Sequence, residues 1–147
     1  MKPVAVSITV PEPPRVVFDH LDVLANHASF LDHFLVDWSF SGPRSGVGAR
    51  AKARQDAPGS QDWMEFEVLE SEPPRRIVEE GVSAGGRRRT RGTYTLEELP
   101  SGATRVSFQL QWEKVAKAEG LIPFLTRAFV RRANGKGMRR LAEQLGG

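Results

Sequence analysis

Hydrophobic residues fall on alternate positions through most of this chain. Val4, Val6, Ile8 and Val10 alternate with Ala5, Ser7 and Thr9, the mark of a strand with one buried face and one wet face. The same period returns at Val36–Phe40, Val47–Arg54, Asp62–Glu70, Arg76–Val82, Arg88–Glu98 and Thr104–Glu113, which predicts strands two to seven. Met64, Phe66 and Val68, then Tyr94 and Leu96, then Val106, Phe108, Leu110 and Trp112 all sit on even positions. One apolar face therefore persists along the later strands. Turn-forming residues separate them at Ser41–Gly46, Glu72-Pro73-Pro74, Ser83-Ala84-Gly85-Gly86 and Pro100-Ser101-Gly102. A polar loop at Asp56–Gln61 contains Pro58-Gly59.

Helical spacing occurs in two regions. Pro11-Glu12-Pro13-Pro14 ends the first strand and suits a helix start. Arg15–Leu21 then reads as a short helix with Val17, Phe18 and Leu21 inward. A second short helix is predicted over Leu24–Phe34, with Leu24, Ala28, Leu31 and Leu35 at helical spacing and Phe30 and Phe34 beside them. After a linker at Ala116–Gly120, a long helix runs from Leu121 to the end. Its apolar side chains form two sets. Leu121, Leu125, Ala128 and Phe129 share one face, and Asn134, Met138, Leu141 and Leu145 share another, nearly half a circle away. Gly135 and Gly137 lie near the change of face and predict a bend. The alternatives are a separate packing partner for the first half, or a close approach of the glycines to the sheet.

The expected fold is α+β: a seven-stranded curved antiparallel sheet wrapped around a long C-terminal helix, with two short helices between strands one and two. The 147 residues suit one domain spanning 1–147. With 39% hydrophobic and 27% charged residues, neither a disordered nor a membrane composition fits. No apolar run approaches the ~20 residues of a membrane span, and Met1-Lys2-Pro3-Val4 lacks a signal-peptide core. The chain has no cysteine, which excludes disulfides and thiolate chemistry. A cytoplasmic location is expected. The net charge of +3 is small, and the cations cluster at Arg87, Arg88, Arg89 and Arg91 and along the last helix at Arg127, Arg131, Arg132, Lys136, Arg139 and Arg140. No aromatic residue interleaves the first cluster, so no specific nucleic-acid partner is expected. The second would permit weak contact with an anionic membrane surface. The oligomeric state is not legible.

Candidate chemistry follows from the faces. Val47, Ala49, Ala51 and Ala53 give the third strand a small-residue inner face, which leaves room for a cavity around Ala51. Phe40, Met64, Phe66 and Phe108 would supply apolar wall. Trp38, Tyr94, Trp112 and Asn134 would supply polar contacts, and Met138 lies on the inward helix face. Of the adjacent Glu79 and Glu80, alternation turns only one inward; a carboxyl facing an apolar space has a raised pKa and can act as acid or base. Glu80, Tyr94 and Asn134 are the catalytic candidates. His20, His27 and His33 are spaced seven and six apart, not the three or four that brings ligands onto one helix face. No metal and no cofactor are expected.

The order of elements resembles the START-like helix-grip (SRPBCC) superfamily, and more narrowly its polyketide cyclase/dehydrase and lipid-transport family. The resemblance rests on the Val4–Val10 strand with its Pro-rich exit into Val17-Phe18-Asp19, and on Phe30–Phe34 running into Trp38. It rests further on Gly46-Val47-Gly48-Ala49-Arg50, Val68-Leu69-Glu70 with Pro73-Pro74-Arg75-Arg76, and Gly92-Thr93-Tyr94 with Thr104-Arg105-Val106. It implies a mostly apolar cavity between sheet and last helix, holding a lipid, polyketide or similar small apolar ligand. A minority of such proteins cyclise or dehydrate polyketides, which here would fall to Tyr94, Glu80 or Asn134. A third reading is a cavity-poor module acting through its basic surface.

Overall fold

The computed structural model describes residues 1–57, 61–116 and 120–146. The middle of the expected Asp56–Gln61 loop, with its Pro58-Gly59, and the middle of the expected Ala116–Gly120 linker lie outside them. Seven antiparallel strands form one sheet: β1 (Val4–Val10), β2 (Leu35–Ser41), β3 (Arg50–Gln55), β4 (Trp63–Glu72), β5 (Arg76–Ser83), β6 (Arg88–Glu98) and β7 (Thr104–Lys114). Their order across the sheet is β1-β7-β6-β5-β4-β3-β2. β2 through β7 form a meander, while the chain crosses from one edge of the sheet to the other between β1 and β2.

That crossing is made by helices. α1 (Pro14–Leu21) starts with proline, whose missing N–H is harmless in the first helical turn, and buries Val17, Phe18 and Leu21. The single helix expected over Leu24–Phe34 is instead a 3-10 turn, Leu24–His27, followed by one α-turn, α2 (Ala28–Leu31). The chain is already extended at Leu35. β3 starts later than its alternation suggested. Gly46 and Gly48 adopt φ of 78° and 92°, a left-handed conformation that side chains resist, so Val47 belongs to the turn and is exposed.

The long helix α3 (Pro123–Gln144) is continuous through Gly135 and Gly137, where a bend was expected. Of its two apolar faces only the second is buried. Ala133, Gly137, Met138, Leu141 and Ala142 are covered, whereas Leu121, Phe124 and Leu125 are 74%, 70% and 52% exposed. The close approach involves α2, not the sheet. A Cβ on Gly137 would lie 2.9 Å from Leu31 Cδ2 and 3.3 Å from the Phe30 carbonyl oxygen. Among the described residues no helix is long and apolar enough to cross a membrane.

The main core joins α1, α2 and the C-terminal half of α3 to the inner face of the sheet. Phe18, Leu21 and Phe30 from the first two meet Val10, Val68, Ile77, Leu96 and Val106 from the strands and Leu141 from the third. This fills one end of the concave face.

Candidate functional site

At the other end, the N-terminal half of α3 spans the sheet without filling the space beneath it. A cavity of about 120 Å³ remains, walled by Met64 and Phe66 of β4, Phe108, Leu110 and Trp112 of β7, and Phe129, Val130 and Asn134 of α3. β5 and β6 form its floor through Glu79, Gly81, Arg88, Thr90, Gly92 and Tyr94. Since one water needs roughly 10–15 Å³ by this measure, the space suits on the order of ten non-hydrogen atoms.

Strand register decides which side chains reach it. Glu79 pairs across β4 with Val68 and across β6 with Gly92, both on the concave face. Glu80 pairs with Glu67 and Arg91 on the convex face, where Arg89 Nη1 donates to its Oε1 at 2.8 Å. The expectation that Glu80 faces inward is therefore corrected. The inward row is Ile77, Glu79, Gly81 and Ser83.

Glu79 is 8% exposed, and its Oε2 is buried without a hydrogen-bond partner. Removal from water penalises the carboxylate and pushes the Glu79 pKa up to about 7. Its stem lies against the aromatic floor: a Cβ on Gly92 would meet Phe108 Cε1 at 2.8 Å and Glu79 Cγ at 3.3 Å. Glycine at this position lets Phe108 lie across β6. The Phe108 ring packs on Tyr94 with centroids 4.6 Å apart, and Tyr94 meets the edge of His27 at 5.6 Å. Burial, with the neighbouring Glu79 charge, raises the Tyr94 hydroxyl pKa well above its ordinary value. His27 is itself buried, and its Nε2 donates to the Leu21 carbonyl at 2.7 Å. Burial, opposed by that hydrogen bond, lowers its pKa to about 4. It is a satisfied interior histidine, neutral at pH 7.

The far end of the floor is cationic. Arg88 is 9% exposed and opposes Ser83 on the inward rows of β6 and β5. Its Nη1 donates to Ser83 Oγ at 2.7 Å and Gln55 Oε1 at 3.4 Å, and Asp62 stands 3.8 Å away. The cavity thus has an apolar body, a carboxyl–phenol pair at one end and a guanidinium at the other. A neutral Glu79 can donate to a carbonyl oxygen, an ionised one can accept a proton, and the neutral Tyr94 phenol can donate or accept a hydrogen bond at physiological pH.

Of the residues expected to line a pocket, Met64, Phe66, Tyr94, Phe108, Trp112 and Asn134 do. Trp38, Phe40, Ala51 and Met138 do not. An irregularity between Val36 and Ser39, with Asp37 at φ 55°, re-aims β2. Trp38 then stacks between Phe40 and Phe66, at 5.8 and 5.9 Å, and its indole N–H donates to the Leu35 carbonyl at 2.9 Å. Phe40 is 43% exposed. The room expected around Ala51 is taken by core packing, and Met138 belongs to the same core. Phe40 and Ala51 border a different depression, whose other walls include the charged Arg50, Lys52, Glu65 and Glu67. Glu79, Arg88 and Thr90 are the floor residues that sequence reasoning missed. Arg88 and Thr90 share the parity of Tyr94 and Leu96, so that signal was present.

A curved antiparallel sheet closed on a C-terminal helix, with an apolar space between them, defines the START-like helix-grip class. The chain belongs to the family described as polyketide cyclase/dehydrase and lipid transport, whose profile matches residues 1–146. Among solved structures it is similar to TTHA0849 from Thermus thermophilus, at TM-score 0.80 and 19% identity, covering 98% of this chain and 97% of that one. It is also similar to Ara h 8.0201, at TM-score 0.73 and 12% identity over 98% and 97% of the two chains. A third likeness is to DynU16, a protein of the dynemicin biosynthetic locus, at TM-score 0.67 and 21% identity, covering 99% of this chain but 47% of that one. At these identities the likeness is one of fold. No curated protein sequence matches the chain.

Proposed function

We propose that the chain binds a small, mainly apolar ligand in the cavity between β4–β7 and the N-terminal half of α3. The observation that carries this is one buried, unpartnered carboxyl oxygen, Glu79 Oε2, on the floor of an otherwise largely apolar cavity. Burying such an oxygen without a partner costs about 1–3 kcal/mol, and a ligand hydroxyl or carbonyl at that spot, hydrogen-bonded to the carboxyl, removes the penalty. Phe66, Phe108, Leu110, Trp112, Phe129 and Val130 would hold the apolar body, with Asn134 as a polar contact on the helix side. The test has two arms. Native against denatured mass spectrometry of the purified protein looks for a co-purified small molecule. Calorimetric titration with phenylbutanamide, a neutral probe near the cavity's size, is then repeated on Thr126→Trp, which places an indole in the wall. Uptake by the wild type and its loss in the variant are expected; no uptake of probe or natural ligand by the wild type would remove the reading.

A second reading, cyclisation or dehydration of a polyketide in the same cavity, is favoured by Glu79 specifically. A carboxyl with a pKa near 7 holds its proton for part of the time at neutral pH and gives it up for the rest. Beside the Tyr94 phenol it could protonate a carbonyl or leaving hydroxyl and take the proton back. Turnover of a poly-β-keto substrate that survives Glu79→Gln would exclude this role for Glu79.

A further inference from the structure

We propose that the segment from Leu121 to Arg132, at the start of α3, docks on an anionic lipid surface, its apolar side chains entering the bilayer and its arginines lying at the phosphates. Leu121, Ile122, Phe124 and Leu125 all stand exposed to water, and none of them lines the cavity. A single exposed leucine needs no explanation, but four large apolar groups within five residues form a patch that does. Ala128 extends it by one turn and is exposed as well. At 3.6 residues per turn, Phe124, Leu125 and Ala128 share about a third of the helix circumference with the exposed Arg131, Arg132 and Arg139. An apolar tip thus continues into a cationic stripe on one face.

The charge pattern selects the partner. Residues 120–142 hold six cations, Arg127, Arg131, Arg132, Lys136, Arg139 and Arg140, and no Asp or Glu. Arg140 pairs with Asp32, and Arg127 is tied to the carbonyls of Lys2 and Pro3. Arg131, Arg132 and Arg139 meet no carboxylate among the described residues. A second copy of this face would bring guanidinium groups together with nothing to neutralise them, which disfavours a dimer built on it. Nucleic acid would supply phosphates but no apolar phase for Phe124 and Leu125. A bilayer containing anionic lipid supplies both. Arg131 follows Phe124 by seven residues, about 10 Å along the axis, which is comparable with the depth to which surface-bound helices bury their apolar side chains. A helix inclined into the surface therefore seats Phe124 and Leu125 among the acyl chains and the arginines at the headgroups. Phe129 and Val130 of the same segment wall the cavity, so on the ligand-binding reading docking sets the cavity's cover against the lipid phase.

Vesicle flotation tests this with two compositions: phosphatidylcholine alone, and phosphatidylcholine with about one-third phosphatidylglycerol. The wild type should float with the anionic vesicles and not with the neutral ones, and the binding should weaken as salt is raised from about 0.1 to 0.5 M. Replacing two cations, Arg131→Gln with Arg132→Gln, should weaken it about 30-fold. Removing the apolar tip, Phe124→Ser with Leu125→Ser, should weaken it about tenfold or more with every charge retained. All four positions are exposed, so both variants should melt with the wild type by circular dichroism. Equal flotation with neutral and anionic vesicles, or a serine variant that binds as the wild type does, would overturn the assignment. So would a dimer in analytical ultracentrifugation that the serine pair disperses, since the apolar tip would then belong to a second copy of the chain. Uptake of phenylbutanamide by the cavity is a separate measurement, and its failure would leave the docking surface standing.

Discussion

Replacing Glu79 by glutamine should make stability less sensitive to alkali, by an amount the structure sets. Burial raises the Glu79 pKa from 4.5 to about 7. Between these values the folded protein holds a proton that the unfolded chain has released, so stability falls as pH rises through this window. Below it both states are protonated, above it both are ionised, and the group adds no further slope. At about 1.4 kcal/mol per pH unit the loss accumulates to about 3 kcal/mol. His27 works in the opposite sense. Its pKa falls from 6.5 to about 4, so the unfolded chain binds the extra proton and stability rises with pH by a similar amount. Between about 4.5 and 6.5 the two slopes nearly cancel, and the wild-type profile conceals both.

The difference between wild type and Glu79→Gln isolates the carboxyl, because the His27 contribution is common to both. Urea unfolding followed by tryptophan fluorescence, repeated between about pH 4 and 8, is the assay. The variant should gain on the wild type from about pH 4.5 upward and level off above pH 7, about 3 kcal/mol ahead of its acid-side offset. With an m-value of about 2 kcal/mol/M that is a shift of about 1.5 M in urea midpoint. A constant difference across the range would mean that Glu79 ionises in the folded protein as easily as in the unfolded chain. The description of the site as a dry carboxyl on an apolar floor would then be wrong.

The two central glycines of α3 should respond in opposite directions to mutation. A Cβ on Gly135 meets only Arg139 Nη1 at 3.6 Å, so Gly135→Ala should raise stability by about 0.5–1 kcal/mol. Gly137→Val drives against Leu31 and the Phe30 carbonyl and should lower it by about 1–3 kcal/mol; chemical denaturation of the pair measures both. His27→Phe should remove the acid sensitivity of this site and lower stability by about 1–3 kcal/mol at neutral pH, because the buried Leu21 carbonyl loses its donor. Stability profiles of this variant against pH check both effects.

The sheet was legible because nearly every strand buries one face, and a two-residue period is the direct trace of that. It failed where backbone conformation interrupts the period. At β3 the left-handed glycines hold Val47 in a turn, and in β2 the irregularity at Asp37 carries Trp38 and Phe40 away from the cavity. Parity also says which side chains point inward without saying what they meet. Ala51 and Met138 face inward as expected and find core, whereas Met64 and Trp112 share the inward parity and line the cavity. Alternation turned only one of Glu79 and Glu80 inward, and the choice of Glu80 as a candidate left Glu79 aside. Only its pairing with Val68 and Gly92 places it, and pairing partners cannot be read from one strand alone. The change of face in α3 was visible in sequence, but an unbroken helix with an uncovered first half was not the explanation favoured there.

Under the proposed ligand-binding reading, that uncovered half sets the route of entry. The C-terminal half of α3 is clamped onto α2: Arg140 Nη2 donates to the Ser29 carbonyl at 2.8 Å, Gln144 Nε2 to the same oxygen at 3.0 Å, and His33 Nε2 to the Ala133 carbonyl at 2.8 Å. Over residues 120–132, by contrast, no residue is buried. Polar ties to the rest of the chain include those from Arg127 to the carbonyls of Lys2 and Pro3, both 3.1 Å. Since local opening is easiest where little apolar surface is buried, this half of the helix can lift while the other stays docked, and it is this half that covers the cavity. On that reading a ligand larger than the resting 120 Å³ would enter without disturbing the main core. Hydrogen exchange should show the amides of residues 124–132 exchanging much faster than those of 137–144. A bound ligand should slow the first group and leave the second unchanged. Equal protection of the two halves in the free protein would mean that α3 opens as one unit, and ligand entry would then require the core to open with it.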